Sequence, residues 1–174
     1  MEGTHSLYSL LRSKLLSRAL KIQLYHSVIQ PVAMYGCETW SLTKMDEESL
    51  PRFERKILRI IFGPTQDMAT NEYRIRTNLE LRDLYQSPNI VQLIKSRRLR
   101  WAGHVIRSDH SRIIKSVWEK SPDGKRSRGG PRMRWQDNIQ RDLESLGVQN
   151  METAAQDRTV WRRIVREVKT HEGL

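Results

Sequence analysis

Residues 9–29 read SLLRSKLLSRALKIQLYHSVI. Leu11, Leu15, Leu16, Ala19, Ile22, Tyr25, Val28 and Ile29 recur in steps of three and four, the spacing that lines up side chains on one face of an α-helix. The stretch predicts one amphipathic helix, interrupted at Pro31, which kinks the chain before a second helical piece in PVAMYGCETW.

The same signals continue downstream. Thr43 can cap backbone amides while Asp46 reaches back, opening a helix over about 44–62 with Leu50, Phe53, Ile57, Leu58 and Ile61 on one side. Pro51 falls near its first turns, and Gly63-Pro64 ends it. Thr70 or Asn71 predicts a short helix over 72–77, and 81–85 forms another. Ser87-Pro88 leads into a longer helix, about 89–106, with Ile90, Leu93, Ile94, Arg97 and Trp101 along one side. A short helix over 111–119 precedes SPDGKRSRGGP, a Ser/Gly/Pro-rich cationic linker. Helices over about 132–146, stopped by Gly147, and 152–169 complete the chain, and no β-hairpin signal is present. The expected class is all-α, an irregular helical array.

Charge is distributed unevenly. Residues 95–134 hold 13 Lys/Arg and 3 Asp/Glu of the chain's 31 and 20, which places +10 of the formal +11 in this block. Cations held together repel one another unless a polyanion neutralises them, and against phosphates they release condensed counterions. The block points to RNA or DNA, held through Lys95, Arg97, Arg98, Arg100, Arg107, Arg112, Lys115, Lys125, Arg126, Arg128, Arg132 and Arg134. Arg97, Arg98, Arg100 and Arg107 span about three turns, too many for one helix face, with Arg97 towards the apolar side. Trp101 can stack on unpaired bases or pack in the core, and His104 can meet a phosphate when protonated or tie down its helix end. Trp118 and Trp135 offer the same two readings as Trp101; the apolar neighbours of Trp101 and Trp135 at helical spacing favour core packing, and Trp161 belongs to the core. Gly103 permits a close approach.

Composition sets further bounds. Apolar residues make up 37%, so the core is thin for 174 residues. The single cysteine, Cys37, excludes an internal disulfide and a multi-cysteine zinc site; it suits a reducing intracellular setting, nuclear or cytoplasmic, as a buried, inert thiol. No run of 18 apolar residues exists to span a membrane. No metal or cofactor is called for. His104, Asp109 and His110 supply too few ligands at the wrong spacing for zinc, which leaves a metal-dependent nuclease the weakest alternative.

Several blocks together resemble a known family. LYHSVIQPVAMYGCETW (24–40) followed by LPRFERKILRIIFG (50–63) is similar to the segment after the catalytic core of LINE-type, non-long-terminal-repeat reverse transcriptases. RRLRWAGHVIR (97–107), RGGPRMRWQDNIQRDLESLG (128–147) and AAQDRTVWRRIV (154–165) resemble the downstream region of the same polyproteins, in the same order. The family usually writes Gly-Arg-Pro where this chain has Gly129-Gly130-Pro131. The resemblance implies thumb-like helices over 1–63, a helical connector with a basic helix over 64–119, a basic linker over 120–131 and a C-terminal helical pair over 132–174. It also implies a non-catalytic remnant, because no adjacent Asp-Asp is present to hold the paired Mg²⁺ of a polymerase. The alternative from another class is a helical protein-interaction module, its first helices covering a partner such as a reverse transcriptase palm.

Overall fold

The computed structural model describes residues 2–120, 129 and 133–170, with side chains from Leu7 onward. The described residues are predominantly helical and fall into two compact units. One comprises residues 1–35 and 48–90, the other residues 36–47 and 91–174. This division crosses the expected segment boundaries: residues 36–47 leave the N-terminal helices, and the basic helix joins the C-terminal pair.

In the first unit, α1 (Glu2–Arg12) and α2 (Arg18–Leu24) replace the single helix expected over 9–29. Two serines cause the break. The Ser13 hydroxyl accepts from the Leu15 amide at 3.2 Å, and the Ser17 hydroxyl caps α2 by accepting from Leu20 at 3.2 Å. Such local bonds compete with the helical ladder. Leu15, expected on the apolar face, is 96% exposed at this bend. The ladder then widens to π spacing over Tyr25–Ile29, ahead of Pro31, which has no amide to donate, and α3 (Gln30–Ala33) follows. α4 (Lys44–Phe62) starts as expected: the Thr43 amide donates to Asp46 Oδ2 at 2.9 Å, and the Asp46 amide donates back to Thr43 Oγ1 at 3.2 Å. Pro51 lies inside α4 and removes the amide that would close on the Glu47 carbonyl.

Residues 72–77 are not helical. Tyr73–Arg74 (β2) pairs antiparallel with Thr65–Gln66 (β1). Asn71 takes a left-handed conformation at φ 60°, and the cap forms later, at Thr77, which has Glu80 three residues on to complete the reciprocal box. That box starts α5 (Asn78–Tyr85). Leu11, Tyr25, Ile57 and Ile61 form one apolar cluster of this unit, and Leu58, Phe62 and Leu81 form another. Buried Glu54 accepts from Tyr25 Oη at 2.8 Å and from the Ile90 amide at 3.0 Å, where α6 (Ile90–Ile106) begins.

The second unit centres on α6. α7 (Ile113–Glu119), α8 (Trp135–Ser145), α9 (Met151–Gln156) and α10 (Arg158–Glu167) complete it. The last two replace one expected helix because Asp157 accepts from the Thr159 and Val160 amides and caps a new start. Leu99, Ala102 and Ile106 of α6 pack with Ile139 and Leu143 of α8 and with Trp161, Ile164 and Val165 of α10. The Trp161 indole donates to the Leu99 carbonyl at 2.9 Å. Gly103 admits that ring, since a Cβ there would lie 2.1 Å from Trp161 Nε1. Among the described residues, no helix is long and apolar enough to cross a membrane.

Candidate nucleic-acid interface

The cations of the basic block fall into three groups, two of which the structure describes. The first is internal. Lys95 is 3% exposed, with Nζ 3.0 Å from Glu47 Oε1 and 3.3 Å from Asp142 Oδ1. Arg98 is fully buried, pairs with Asp142, and donates to the Trp40 carbonyl at 3.3 Å and Asn138 Oδ1 at 3.4 Å. Lys115 donates to the Ile106 carbonyl at 2.8 Å and lies 3.4 Å from Glu119. These three were expected to meet phosphates; instead they are held inside by the protein's own acceptors. The carboxylates that hold Lys95 and Arg98 come from Glu47 and Asp142, far away in sequence. Arg97, expected towards the apolar side of its helix, is only half-buried and sits beside Cys37, whereas its neighbour Arg98 points inward. The Cys37 thiol is buried, and desolvation raises its pKa, an effect the nearby Arg97 partly offsets.

The second group lies outside the described residues: Lys125, Arg126, Arg128 and Arg132. Arg134 is described and exposed, at the start of α8.

The third group is open. Arg100, His104 and Arg107 of α6, with Arg112 just before α7, line a groove of about 830 Å³. Its other wall is α10 and the turn after it, which contribute Arg158, Arg162, Arg166 and Lys169. Seven Lys/Arg and His104 therefore face a single carboxylate, Asp109. Arg158, Arg162 and Arg166 recur every fourth residue, a rise of about 6 Å per step along a helix. Their alternation with Trp161, Ile164 and Val165 gives α10 one cationic side and one core side. Nothing in a count of consecutive charges marks α10; the four-residue recurrence of arginine was the available signal.

The electrostatics of the groove are one-sided. Arg107 donates to the Ala155 carbonyl at 2.6 Å, and its pKa is lowered, first by desolvation and then by repulsion from Arg158 and Arg162. Like charges gathered in this way favour an anion between them. Asp109 accepts from the Ser111 amide at 2.8 Å, which lowers its pKa and keeps it ionised.

The residues of the nuclease alternative do not converge. The His104 ring stacks on Trp101 at 5.2 Å, His110 pairs with Glu119 at 3.1 Å, and Asp109 serves the Ser111 turn. Among the described residues, no group of three His, Cys, Asp or Glu is placed to hold a metal ion. Trp161 lies in the core as expected; Trp118 and Trp135 are half-buried and pack against that same cluster, the Trp135 indole donating to the Glu38 carbonyl at 2.7 Å, and Trp101 is half-buried.

The chain is similar to an uncharacterized transposon-derived protein of Caenorhabditis elegans, with 27% identity over 164 residues. The match takes in 88% of this chain and 57% of that relative, so the chain spans little more than half the relative's length. No protein-family profile matches the chain, and no solved structure matches it.

Proposed function

We propose that the chain is a non-catalytic, nucleic-acid-binding remnant of a LINE-type retrotransposon reverse transcriptase, acting inside the cell. The similarity to a transposon-derived protein supports the origin. The ordered sequence blocks support the narrower reading. The groove between α6 and α10 carries the binding proposal, with seven Lys/Arg against one carboxylate. Phosphates are the natural counter-charge, and the regular spacing along α10 suits a repeating anionic backbone.

A salt titration tests this. Dissociation constants for single-stranded RNA, duplex RNA and duplex DNA are measured by fluorescence anisotropy between low and physiological salt. Each phosphate contact contributes about 0.7 to 0.9 to the slope of log K against log salt. Replacing Arg162 and Arg166 with Gln should flatten that slope; an unchanged slope in a folded variant refutes the groove assignment.

A second reading has its own support in the first unit. Val28, Val32 and Tyr35 follow in steps of four and three, and Val32 and Tyr35 are 74% and 86% exposed. An uncovered apolar stripe of this kind suits a protein partner such as the palm of a reverse transcriptase. Light scattering tests it: a compact monomer with no tendency to associate, unaltered by Val32→Glu, counts against this surface.

A further inference from the structure

We infer that a tryptophan-lined pocket beside the basic groove receives an unpaired nucleobase, which makes single-stranded nucleic acid the preferred ligand. The inference rests on the groove's binding a phosphate backbone.

The pocket, about 380 Å³, is lined by Trp101, Trp118, Trp135 and Val117, with Lys120 and Arg134 also in its wall. A volume of this size falls within the ordinary range for small-molecule sites. All three indoles are only half-buried, and Val117 is exposed, so the pocket is open. Trp118 and Trp135 meet edge to face, with centroids 5.7 Å apart and planes at 88°, which leaves one indole with both faces clear of the other. Trp101 belongs to this pocket and His104 to the groove, and their rings stack at 5.2 Å and 27°. That stack therefore joins one lining residue of each. On this inference a backbone lying in the groove places one base beside the stack and onto the indoles.

Charge selects the occupant. A cationic guest, which aromatic cages usually favour, would meet Lys120 and Arg134 here. The one acid in the wall, Glu119, is engaged with His110 and Lys115. An aromatic ring carrying an anionic tail fits both the indoles and the cations. A base paired in a duplex cannot reach the pocket.

The test compares three ligands by anisotropy and by quenching of tryptophan emission. They are a five-nucleotide single strand, a base-free deoxyribose-phosphate of the same length, and the matched duplex. Stacking of one base predicts that the intact strand binds about 5- to 100-fold tighter than the base-free backbone, with emission quenched. Trp118→Leu should bring that ratio near one without altering the salt slope or the circular dichroism, and Trp118→Phe should keep most of it. Equal binding of intact and base-free strands by the wild type overturns the inference, as does a ratio that survives Trp118→Leu. If the base-free backbone binds in a salt-dependent way without any base preference, the pocket inference fails and the groove stands. If no ligand binds, both fall.

Discussion

Arg98 of α6 and Asp142 of α8 form an ion pair with no access to water: the arginine is fully buried and the aspartate is 1% exposed. Lys95 reaches the other oxygen of the same carboxylate. Taking such groups out of water is costly, and their attraction offsets the cost only while every partner is present. Asp142→Ala should therefore destabilise the protein by about 3–5 kcal/mol in urea titrations, whereas replacing Lys95, Arg98 and Asp142 together with apolar residues of similar size should cost far less. A single substitution no worse than the triple would show that the pairing is not what holds these helices.

Removing an internal cation and removing a groove cation should have opposite signatures. Lys95→Met should lower stability and leave the salt slope of nucleic-acid binding unchanged in the folded fraction, because Glu47 and Asp142 already neutralise that ammonium. Arg158→Met should leave stability within about 0.5 kcal/mol, as exposed substitutions do, and should lower the slope. Denaturation midpoints and anisotropy on the same two variants decide the matter.

Gly103→Ala should be disproportionately damaging for the addition of one carbon. The new Cβ would fall 2.1 Å from the Trp161 indole nitrogen, within a packed core. Overpacking of this kind costs about 1–3 kcal/mol. Thermal denaturation of Gly103→Ala, Trp161→Leu and the double variant should show strong non-additivity, since the smaller side chain removes the collision.

Two glutamates of the first unit should impose pH dependences of opposite sign. Glu54 is buried, and desolvation raises its pKa, so the folded state holds that proton more tightly than the unfolded chain. Its contribution is full below the ordinary glutamate pKa and is lost as pH rises through the raised value. Glu80 is held down to about 2, first by its hydrogen bond with Arg74 and then by the Thr77 amide. Its contribution is full above the ordinary value and is lost as pH falls towards 2. Melting temperatures against pH should lose the first trend in Glu54→Gln and the second in Glu80→Gln.

Cys37 should behave as an internal reporter. It is fully buried, and desolvation raises its pKa. A thiol reagent should label it only as fast as the second unit opens, at a rate that climbs with denaturant. Immediate, stoichiometric labelling under native conditions would contradict its placement.

The helices were legible where periodicity and caps agreed. Thr43 with Asp46 opens α4, and Gly147 closes the region of α8, as their residue types dictate. The break between α1 and α2 was not, because the leucine pattern runs through it unaltered while two serine hydroxyls divert the amides. The cationic groove was legible in part. Arg100, His104, Arg107 and Arg112 were read from their charge and do line the groove. Lys95 and Arg98 misled because a local sequence window does not contain the acids that neutralise them: Asp142 lies 44 positions beyond Arg98. The α10 arginines were overlooked because consecutive charge was counted, whereas folding sets residues 158–169 opposite residues 100–112.

Residues 36–47 belong with residues 91–174 and supply Glu47, the Trp40 carbonyl and the Glu38 carbonyl to partners on α6 and α8. A cut at the start of residues 91–174 therefore cannot release the downstream unit intact. A fragment starting at residue 91 would leave Lys95 and Arg98 to share Asp142 alone, and the Trp135 indole without its acceptor. Truncations from the front would keep the second unit whole only if they stopped short of Gly36.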